Sequence, residues 1–271
     1  MRNVSVITGG GSGIGLAIAK NMPKENVIVI CGRTEKRLEK AREELAAEGY
    51  DAHYITCDVT SRKDVHELCL FAKSFGTIQN VVHAAGMSPS MSDPETLIRV
   101  NAVGTKNVNM EFFKYMEKGS VIVDVASNSA YSLPAILIQH GTYKLAEYEE
   151  DEFMKKMLSQ TALARGTYEK AGMAYALSKN FVIWYAQKCA FEYGKKGIRV
   201  CSVSPGLIDT DMGNLEKEQG AKLISYSAEE RMGTADELGF TIAMIAVVRS
   251  GYLAGTDVLI DGGSTNGKNF K

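Results

Sequence analysis

Short apolar runs alternate with longer stretches of helical periodicity along most of the chain. The first two runs are "VSVIT" and "NVIVICG", and five more follow, in "AHYITCDVT", "IQNVVHAAG", "GSVIVDVAS", "GIRVCSVSPG" and "GTDVLIDGG". Amphipathic stretches such as Glu35 to Glu48 lie between them. Apolar runs separated by helices indicate βαβ crossovers. The pattern therefore predicts an α/β fold, a doubly wound parallel seven-stranded sheet with helices on both faces.

One segment interrupts this alternation. About 45 residues separate the fifth run, which ends near Ser127, from the helical stretch that holds Tyr175, whereas a typical connection has about 2–6 residues. Residues at roughly helical spacing recur there: Leu145, Tyr148, Met154, Met157, Leu158 and Thr161. We predict a helical insertion at about residues 133–171, built as a helical hairpin or a pair of short helices. Because no Pro-, Gly- or Ser-rich linker divides the chain, we predict a single domain over residues 1–271.

Composition narrows the class of protein. The 271 residues are 45% apolar and 23% charged, and the net charge of −1 gives no electrostatic footprint for nucleic acid or an anionic membrane. No apolar run approaches the roughly 20 residues that span a bilayer, and we expect no signal peptide. The five cysteines form no C-x-x-C pair and no cluster with histidine. We expect a cytoplasmic protein with reduced thiols, no metal site, and no nucleic-acid or membrane partner.

A glycine-rich turn, "TGGGSGIG", follows the first strand and opens a helix. Its glycines fit G-x-x-x-G-x-G, as Gly9, Gly13 and Gly15, instead of the more usual G-x-G-x-x-G. Such glycines let the backbone approach a pyrophosphate, and the helix N-terminus offers amide donors. The turn therefore predicts a Rossmann-type dinucleotide site.

The second strand ends in "CGRTEKR", where NAD-preferring proteins place an acid for the ribose 2′-hydroxyl. Arg33 stands at this place, and an arginine can bind a 2′-phosphate through charge-assisted hydrogen bonds. This favours NADP(H). Glu35 follows two residues later and leaves NAD(H) open.

Several further motifs stand in a characteristic order: "CDVT", "HAAG", "VNAVGT", "VASNS", "YALSK", "SPGLIDT" and "VLIDGG". With the glycine turn, they resemble the motifs of the classical short-chain dehydrogenase/reductases over nearly the whole chain. The resemblance implies the fold above and an NADP(H) or NAD(H) site. It implies that the cofactor contacts Gly9, Ser12, Gly13, Ile14, Gly15, Arg33, Asp58, Val59, Ala85, Gly86, Tyr175, Lys179, Ile208 and Thr210.

The same resemblance implies four catalytic residues: Asn101, Ser127, Tyr175 and Lys179. Tyr175 would exchange a proton with the substrate oxygen, and the nearby Lys179 ammonium would lower the tyrosine pKa and bind the nicotinamide ribose. Ser127 would hydrogen-bond the substrate oxygen, although Ser129 is an alternative. Asn101 would hold a water that relays protons from Lys179.

The sequence departs from the family pattern twice. "HAAG" stands where "NNAG" is usual, and we interpret its His83 as a near-core histidine with satisfied hydrogen bonds. The other departure is the insertion before Tyr175, which resembles that of some hydroxysteroid dehydrogenases and carbonyl reductases. It could line the substrate cleft, or cover a helix surface that other members use for tetramer packing.

These features predict an NAD(P)-dependent oxidoreductase that interconverts a secondary alcohol and a ketone. Met212 to Arg231 is expected to form a lid with apolar residues, and Ser132, Leu133 and Pro134 to line the same cleft. We expect a hydrophobic small-molecule substrate, such as a hydroxysteroid or a bile acid, and a homodimer or homotetramer. The alternatives are a carbonyl reductase or 3-oxoacyl reductase of another substrate class, or a non-catalytic nucleotide-binding regulatory protein.

Overall fold

The computed structural model describes residues 2–267 and 269–270 of the chain. The strands in this part are β1 (Asn3–Thr8), β2 (Val27–Gly32), β3 (Asp51–Thr56), β4 (Thr77–His83), β5 (Val121–Val125), β6 (Arg199–Pro205), β7 (Ile208–Asp209), β8 (Gly233–Thr234) and β9 (Asp257–Ile260). The α-helices are α1 (Gly13–Asn21), α2 (Glu35–Ala47), α3 (Arg62–Lys73), α4 (Pro94–Ile98), α5 (Gly104–Tyr115), α6 (His140–Lys144), α7 (Glu150–Thr161), α8 (Thr167–Tyr193), α9 (Asp211–Leu215), α10 (Ala221–Tyr226), α11 (Ala235–Ala246) and α12 (Ser264–Gly267).

Seven of these strands form the main sheet, in the order β3-β2-β1-β4-β5-β6-β9. All six pairings are parallel, so the predicted doubly wound seven-stranded sheet is confirmed. The strand order reverses between β1 and β4, and ligands of such sheets bind outside the carboxyl ends of the strands at this switch point. The glycine turn that follows β1 therefore lies where a ligand is expected.

The sheet is buried on both faces, which explains why its strands are continuous apolar runs in the sequence. On β1, Val4 and Val6 belong to one hydrophobic core with residues of α3, α5 and α8, while Ile7 belongs to a second core with α1, α2 and α11. In the described part of the chain, no helix has both the length and the apolar character to cross a bilayer.

The insertion is helical, as predicted. It contains α6 and α7, and Phe153, Met154 and Met157 of α7 are buried in the core shared with α4 and α8. The insertion ends slightly earlier than the expected bound of about residue 171, since residues 167–171 belong to α8, which begins directly after Gly166. Tyr148 lies in the turn before α7 and is 81% exposed.

The expected lid consists mainly of two short helices, α9 and α10. A small two-stranded parallel sheet, β7 with β8, joins the segments before and after it. The sequence analysis does not predict this sheet, since each strand has only two residues. It fixes both ends of the lid beside the carboxyl edge of the main sheet.

Candidate active site

A cleft of about 930 Å³ opens at the carboxyl ends of the main-sheet strands. All of the predicted site residues except Asn101 border it: Gly9, Ser12, Gly13, Ile14, Gly15, Arg33, Asp58, Val59, Ala85, Gly86, Ser127, Tyr175, Lys179, Ile208 and Thr210. The fold therefore brings the glycine turn and the Ser-Tyr-Lys set into one cavity.

The glycine turn has a backbone that other residues would not adopt without strain. Gly9 and Gly13 have φ of 69° and 54°, in the left-handed region that favours glycine. A Cβ on Gly15 would lie 2.2 Å from the carbonyl oxygen of Gly9. Ser12 is the N-cap of α1 and its side chain forms no capping hydrogen bond. The first amides of α1 thus remain available to an anionic group, and this cradle fits a dinucleotide pyrophosphate.

Basic side chains border the cleft near the end of β2. Arg33 is exposed here, and Arg37 and Lys20 border the same cavity, whereas Glu35 does not. Arg37 was not predicted from the sequence, although it follows Arg33 by four residues in "RTEKR". Asp58 accepts hydrogen bonds from the Thr60 amide at 2.9 Å and hydroxyl at 2.8 Å.

Ser127 follows β5, while Tyr175 and Lys179 lie one turn apart on α8. The Ser127 hydroxyl lies close enough to the Tyr175 phenol to lower its pKa, and it accepts from the Ser129 amide at 3.2 Å. Lys179 is buried, and its Nζ donates to the Val125 carbonyl at 2.8 Å. The Ser129 hydroxyl is buried without a partner in the described structure, so Ser129 stays the alternative to Ser127.

The pKa of Tyr175 differs from the expectation. Burial raises the pKa of Tyr175 and the charge of Glu216 raises it further, while the Ser127 hydroxyl lowers it, and the net shift is upward. Burial also lowers the pKa of Lys179 to about 8, although the charge of Asp124 opposes this. The Tyr175 pKa is therefore not lowered as expected, because desolvation of the phenol dominates the shift.

Two buried ionisable groups lie beneath this site. His83 Nδ1 is 2.8 Å from the Thr8 hydroxyl, but His83 Nε2 has no hydrogen-bond partner among the described atoms. Only one of the two ring nitrogens therefore forms a hydrogen bond. Asp124 accepts from Asn109 Nδ2 at 2.9 and 3.0 Å. Burial lowers the pKa of His83 to about 3 and raises that of Asp124 to about 7. The sequence analysis missed Asp124, although a lone acid inside "VIVDV" was a signal.

Asn101 lies behind the cleft wall, in a π-helical turn at Arg99–Val103. Its side chain exchanges two hydrogen bonds of 3.0 Å with the backbone of Met87 and donates to the Ser178 hydroxyl at 3.3 Å. A Cβ on Gly86 would lie 3.0 Å from Asn101 Oδ1 and 3.3 Å from Lys179 Nζ. Asn101 therefore holds the loop after β4 in place beside Lys179. Its role in holding a relay water stays a prediction.

The part of the cleft beside the lid is lined by several apolar residues and by the carboxylate of Glu216, and Asp209 and Asp211 border the cleft as well. Met91, Leu207, Met212 and Leu223 border it. Of the other residues expected there, Ser132 borders the cleft, Ile224 lines a smaller neighbouring cavity, and Leu215 is 55% exposed. In the described residues, no group of three or more His, Cys, Asp and Glu side chains could hold a metal ion.

Comparisons with known proteins agree with this geometry. The family model described as "short chain dehydrogenase" matches residues 3–146, and the one described as "Enoyl-(Acyl carrier protein) reductase" matches residues 135–265. The chain is 27% identical to short-chain dehydrogenase/reductase bsc3 of Alternaria brassicicola, over 97% of this chain and 96% of that one. It is also 27% identical to 3beta-hydroxysteroid dehydrogenase 2 of Eggerthella lenta, over 96% and 93%.

Among solved structures, a short chain dehydrogenase from Burkholderia cenocepacia in complex with NADP superposes with a TM-score of 0.74. It is 23% identical, and the match covers 97% of each chain.

Proposed function

The chain belongs to the short-chain dehydrogenase/reductase family, and on that premise we propose that it interconverts a secondary alcohol and a ketone with NADP(H). The observation that carries this proposal is the meeting of Ser127, Tyr175 and Lys179 in the cleft that also contains the glycine turn. Ser127 and Tyr175 border the same cleft, and the Ser127 hydroxyl is near enough to the Tyr175 phenol to lower its pKa. A substrate oxygen beside them would contact both hydroxyls.

The residues around the cleft fit a dinucleotide, and its nicotinamide would supply or accept the hydride. Gly9, Ser12, Gly13, Ile14 and Gly15 would hold the pyrophosphate, and the other predicted contacts would hold the two nucleoside ends. NADP(H) is favoured over NAD(H) because Arg33 and Arg37 border the cleft near β2 and Glu35 does not. The related Burkholderia structure, which contains NADP, also supports this choice.

The side chains of this chain would move the proton. During reduction the Tyr175 hydroxyl donates its proton to the substrate oxygen, while Ser127 donates a hydrogen bond to the same oxygen and holds it in place. The raised pKa of Tyr175 keeps the phenol protonated at neutral pH, so the proton to be donated is present. The Lys179 ammonium stabilises the phenolate that remains, and Asn101 would hold the relay water that restores the proton.

For the substrate, we propose a hydrophobic ketone or alcohol such as a hydroxysteroid or bile acid. The apolar cleft end supports this class, as does the similarity to a protein named 3beta-hydroxysteroid dehydrogenase 2. A carbonyl reductase or 3-oxoacyl reductase remains the alternative. The assembled Ser127, Tyr175 and Lys179 speak against a regulatory protein without activity.

We further propose a single domain, a cytoplasmic location and a homodimer or homotetramer. One continuous sheet supports the single domain. The five cysteines are unpaired and buried, as is common in a reducing compartment. The insertion packs α7 against α4 and α8, and this favours its role as a cover for a helix surface over a role in lining the cleft.

The test is NADPH oxidation with a panel of ketones and aldehydes, comparing the wild type with Tyr175→Phe. We expect turnover by the wild type and a loss of at least about 100-fold in the variant, with NADPH binding retained. A broad panel without turnover, by a protein that binds NADPH, would contradict the enzymatic proposal.

A further inference from the structure

Glu216 follows α9 and lies in the apolar end of the cleft. Its Oε1 accepts from the Ser90 amide at 2.8 Å, and its Oε2 accepts from the Tyr168 hydroxyl at 2.8 Å. Ser90 belongs to the loop after β4 and Tyr168 to the first turn of α8. One carboxylate thus connects the lid to two walls of the cleft.

The groups that hold Glu216 are all neutral. Burial alone would raise the pKa of Glu216, but the hydrogen bonds from the Ser90 amide and the Tyr168 hydroxyl, together with the nearby Ser88, outweigh burial and bring it below its ordinary value. In the described part of the chain Glu216 forms no ion pair. Neutral donors stabilise an anion without cancelling its charge, so Glu216 keeps its negative charge at neutral pH.

This charge acts close to the reacting groups. Glu216 borders the same cleft as Tyr175, and its charge raises the pKa of the Tyr175 phenol. The basic residues Arg33 and Arg37 border the cleft near β2, beside the glycine turn. The arginines suit the phosphates of a cofactor, whereas Glu216 places a carboxylate beside the apolar residues of the lid.

We propose that Glu216 selects substrates by charge. Among ketones with the same apolar skeleton, one that carries a protonated amine would react best, an uncharged one less well, and one that carries a carboxylate or phosphate least. A partly buried charge interacts strongly with a second charge a few ångströms away because water screens it poorly. This inference rests on the proposed function. Within the proposed substrate class it favours neutral hydroxysteroids over bile acids, whose carboxylate would meet Glu216.

The hydrogen bonds of Glu216 also suggest a purely mechanical role, in which it only holds the lid closed. The two roles predict different results. Loss of a lid contact changes kcat/KM for every ketone by a similar factor. Loss of the charge lowers kcat/KM for the cationic ketone and raises it for the anionic ketone.

The experiment uses para-substituted acetophenones that carry an aminomethyl, an ethyl or a carboxylate group. The ratio of kcat/KM between the cationic and the anionic ketone is measured at pH 7 for the wild type, Glu216→Gln and Tyr168→Phe. Glu216→Gln removes the charge and keeps an acceptor oxygen, while Tyr168→Phe removes one lid hydrogen bond and keeps the charge. Dissociation constants of the three ketones from the NADPH complex are measured in parallel, so the ranking is tested even without turnover.

We expect the wild type to prefer the cation, Glu216→Gln to reduce the cation-to-anion ratio at least about tenfold, and Tyr168→Phe to retain the ratio. A similar loss for all three ketones in Glu216→Gln, or no ranking by charge in the wild type, would overturn the inference while leaving the oxidoreductase activity intact. If no ketone reacts but the binding ranking holds, the proposed function fails and the charge selection stands.

Discussion

His83 and Asp124 lie directly opposite each other on the adjacent strands β4 and β5, and both are buried. Their side chains share a face of the sheet because register partners on parallel strands point the same way. Burial lowers the pKa of His83 to about 3 and raises the pKa of Asp124 to about 7. Burial thus keeps both groups neutral in the folded protein over most of the range between these values.

The pair predicts two opposite pH effects on stability. In the unfolded chain, His titrates near pH 6.5 and Asp near pH 3.9. Between these values the unfolded histidine binds a proton that folded His83 does not, and folded Asp124 keeps a proton that the unfolded aspartate does not. The two contributions cancel, so together they leave the free energy of unfolding nearly independent of pH there.

Single substitutions should reveal each contribution. Relative to the wild type, His83→Asn should gain stability as the pH falls from about 6.5 to 4, and Asp124→Asn should lose it, each by about 1.4 kcal/mol per pH unit. Urea unfolding across this range measures both slopes. His140→Asn, a change of an exposed histidine on α6, serves as the control. If the free energy of unfolding had the same slope against pH in the wild type and in both variants, the assigned protonation states would be contradicted.

Arg33 should determine the choice of cofactor. We expect Arg33→Asp to shift the ratio of kcat/KM for NADPH over NADH at least about tenfold toward NADH, because it removes a 2′-phosphate ligand and adds a carboxylate for the 2′-hydroxyl. Lys36→Asp makes the same change of charge at an exposed position of α2 outside the cleft. It should leave the ratio nearly unchanged, and an equal shift in both variants would point to a general field effect.

Gly15 should tolerate no side chain. We expect Gly15→Ala to weaken NADPH binding at least about tenfold, because a Cβ 2.2 Å from the Gly9 carbonyl must displace the turn. Fluorescence titration with NADPH measures this effect. Gly194→Ala is the matched control, since a Cβ there meets nothing within 4 Å. Unchanged NADPH affinity in Gly15→Ala would remove the turn from the binding site.

Lys179 should be needed for catalysis through its charge. Lys179→Met should lower kcat/KM by about 100-fold or more, since the phenolate of Tyr175 loses its stabilising ammonium. Lys188→Met changes a lysine on the same helix that pairs with Glu147 at 2.9 Å, away from the cleft. We expect it to keep wild-type turnover, and steady-state kinetics of the two variants give the comparison. Equal losses would indicate that α8 is merely destabilised.

The sequence predicts the sheet well because strands buried on both faces must be apolar throughout. The seven runs from "VSVIT" to "GTDVLIDGG" correspond to the seven strands of the main sheet. The glycine turn is equally visible, since Gly9 and Gly13 need backbone angles that favour glycine. The strands and the glycine turn can be predicted because each depends on the residue types within its own short segment.

Contacts between segments that are distant in the sequence cannot be predicted from the local residue pattern. The pairing of His83 with Asp124 depends on the register of two strands, and the hydrogen bonds of Glu216 depend on how the lid meets α8 and the loop after β4. Asn101 is a similar case, since its contacts with the Met87 backbone appear only when the π-helical turn packs behind that loop. The raised pKa of Tyr175 could not be predicted either, since it follows from the burial of the phenol.

The central claim is that this cleft transfers a hydride while Tyr175 moves the proton. It is tested most directly with NADPH that carries deuterium at both positions of nicotinamide C4, using a ketone substrate found in the panel and mass spectrometry of the alcohol product. We predict that the wild type places one deuterium on the carbinol carbon, and that Tyr175→Phe still binds the cofactor but forms almost no labelled alcohol. Alcohol without deuterium, or equal labelling by Tyr175→Phe, would contradict the account.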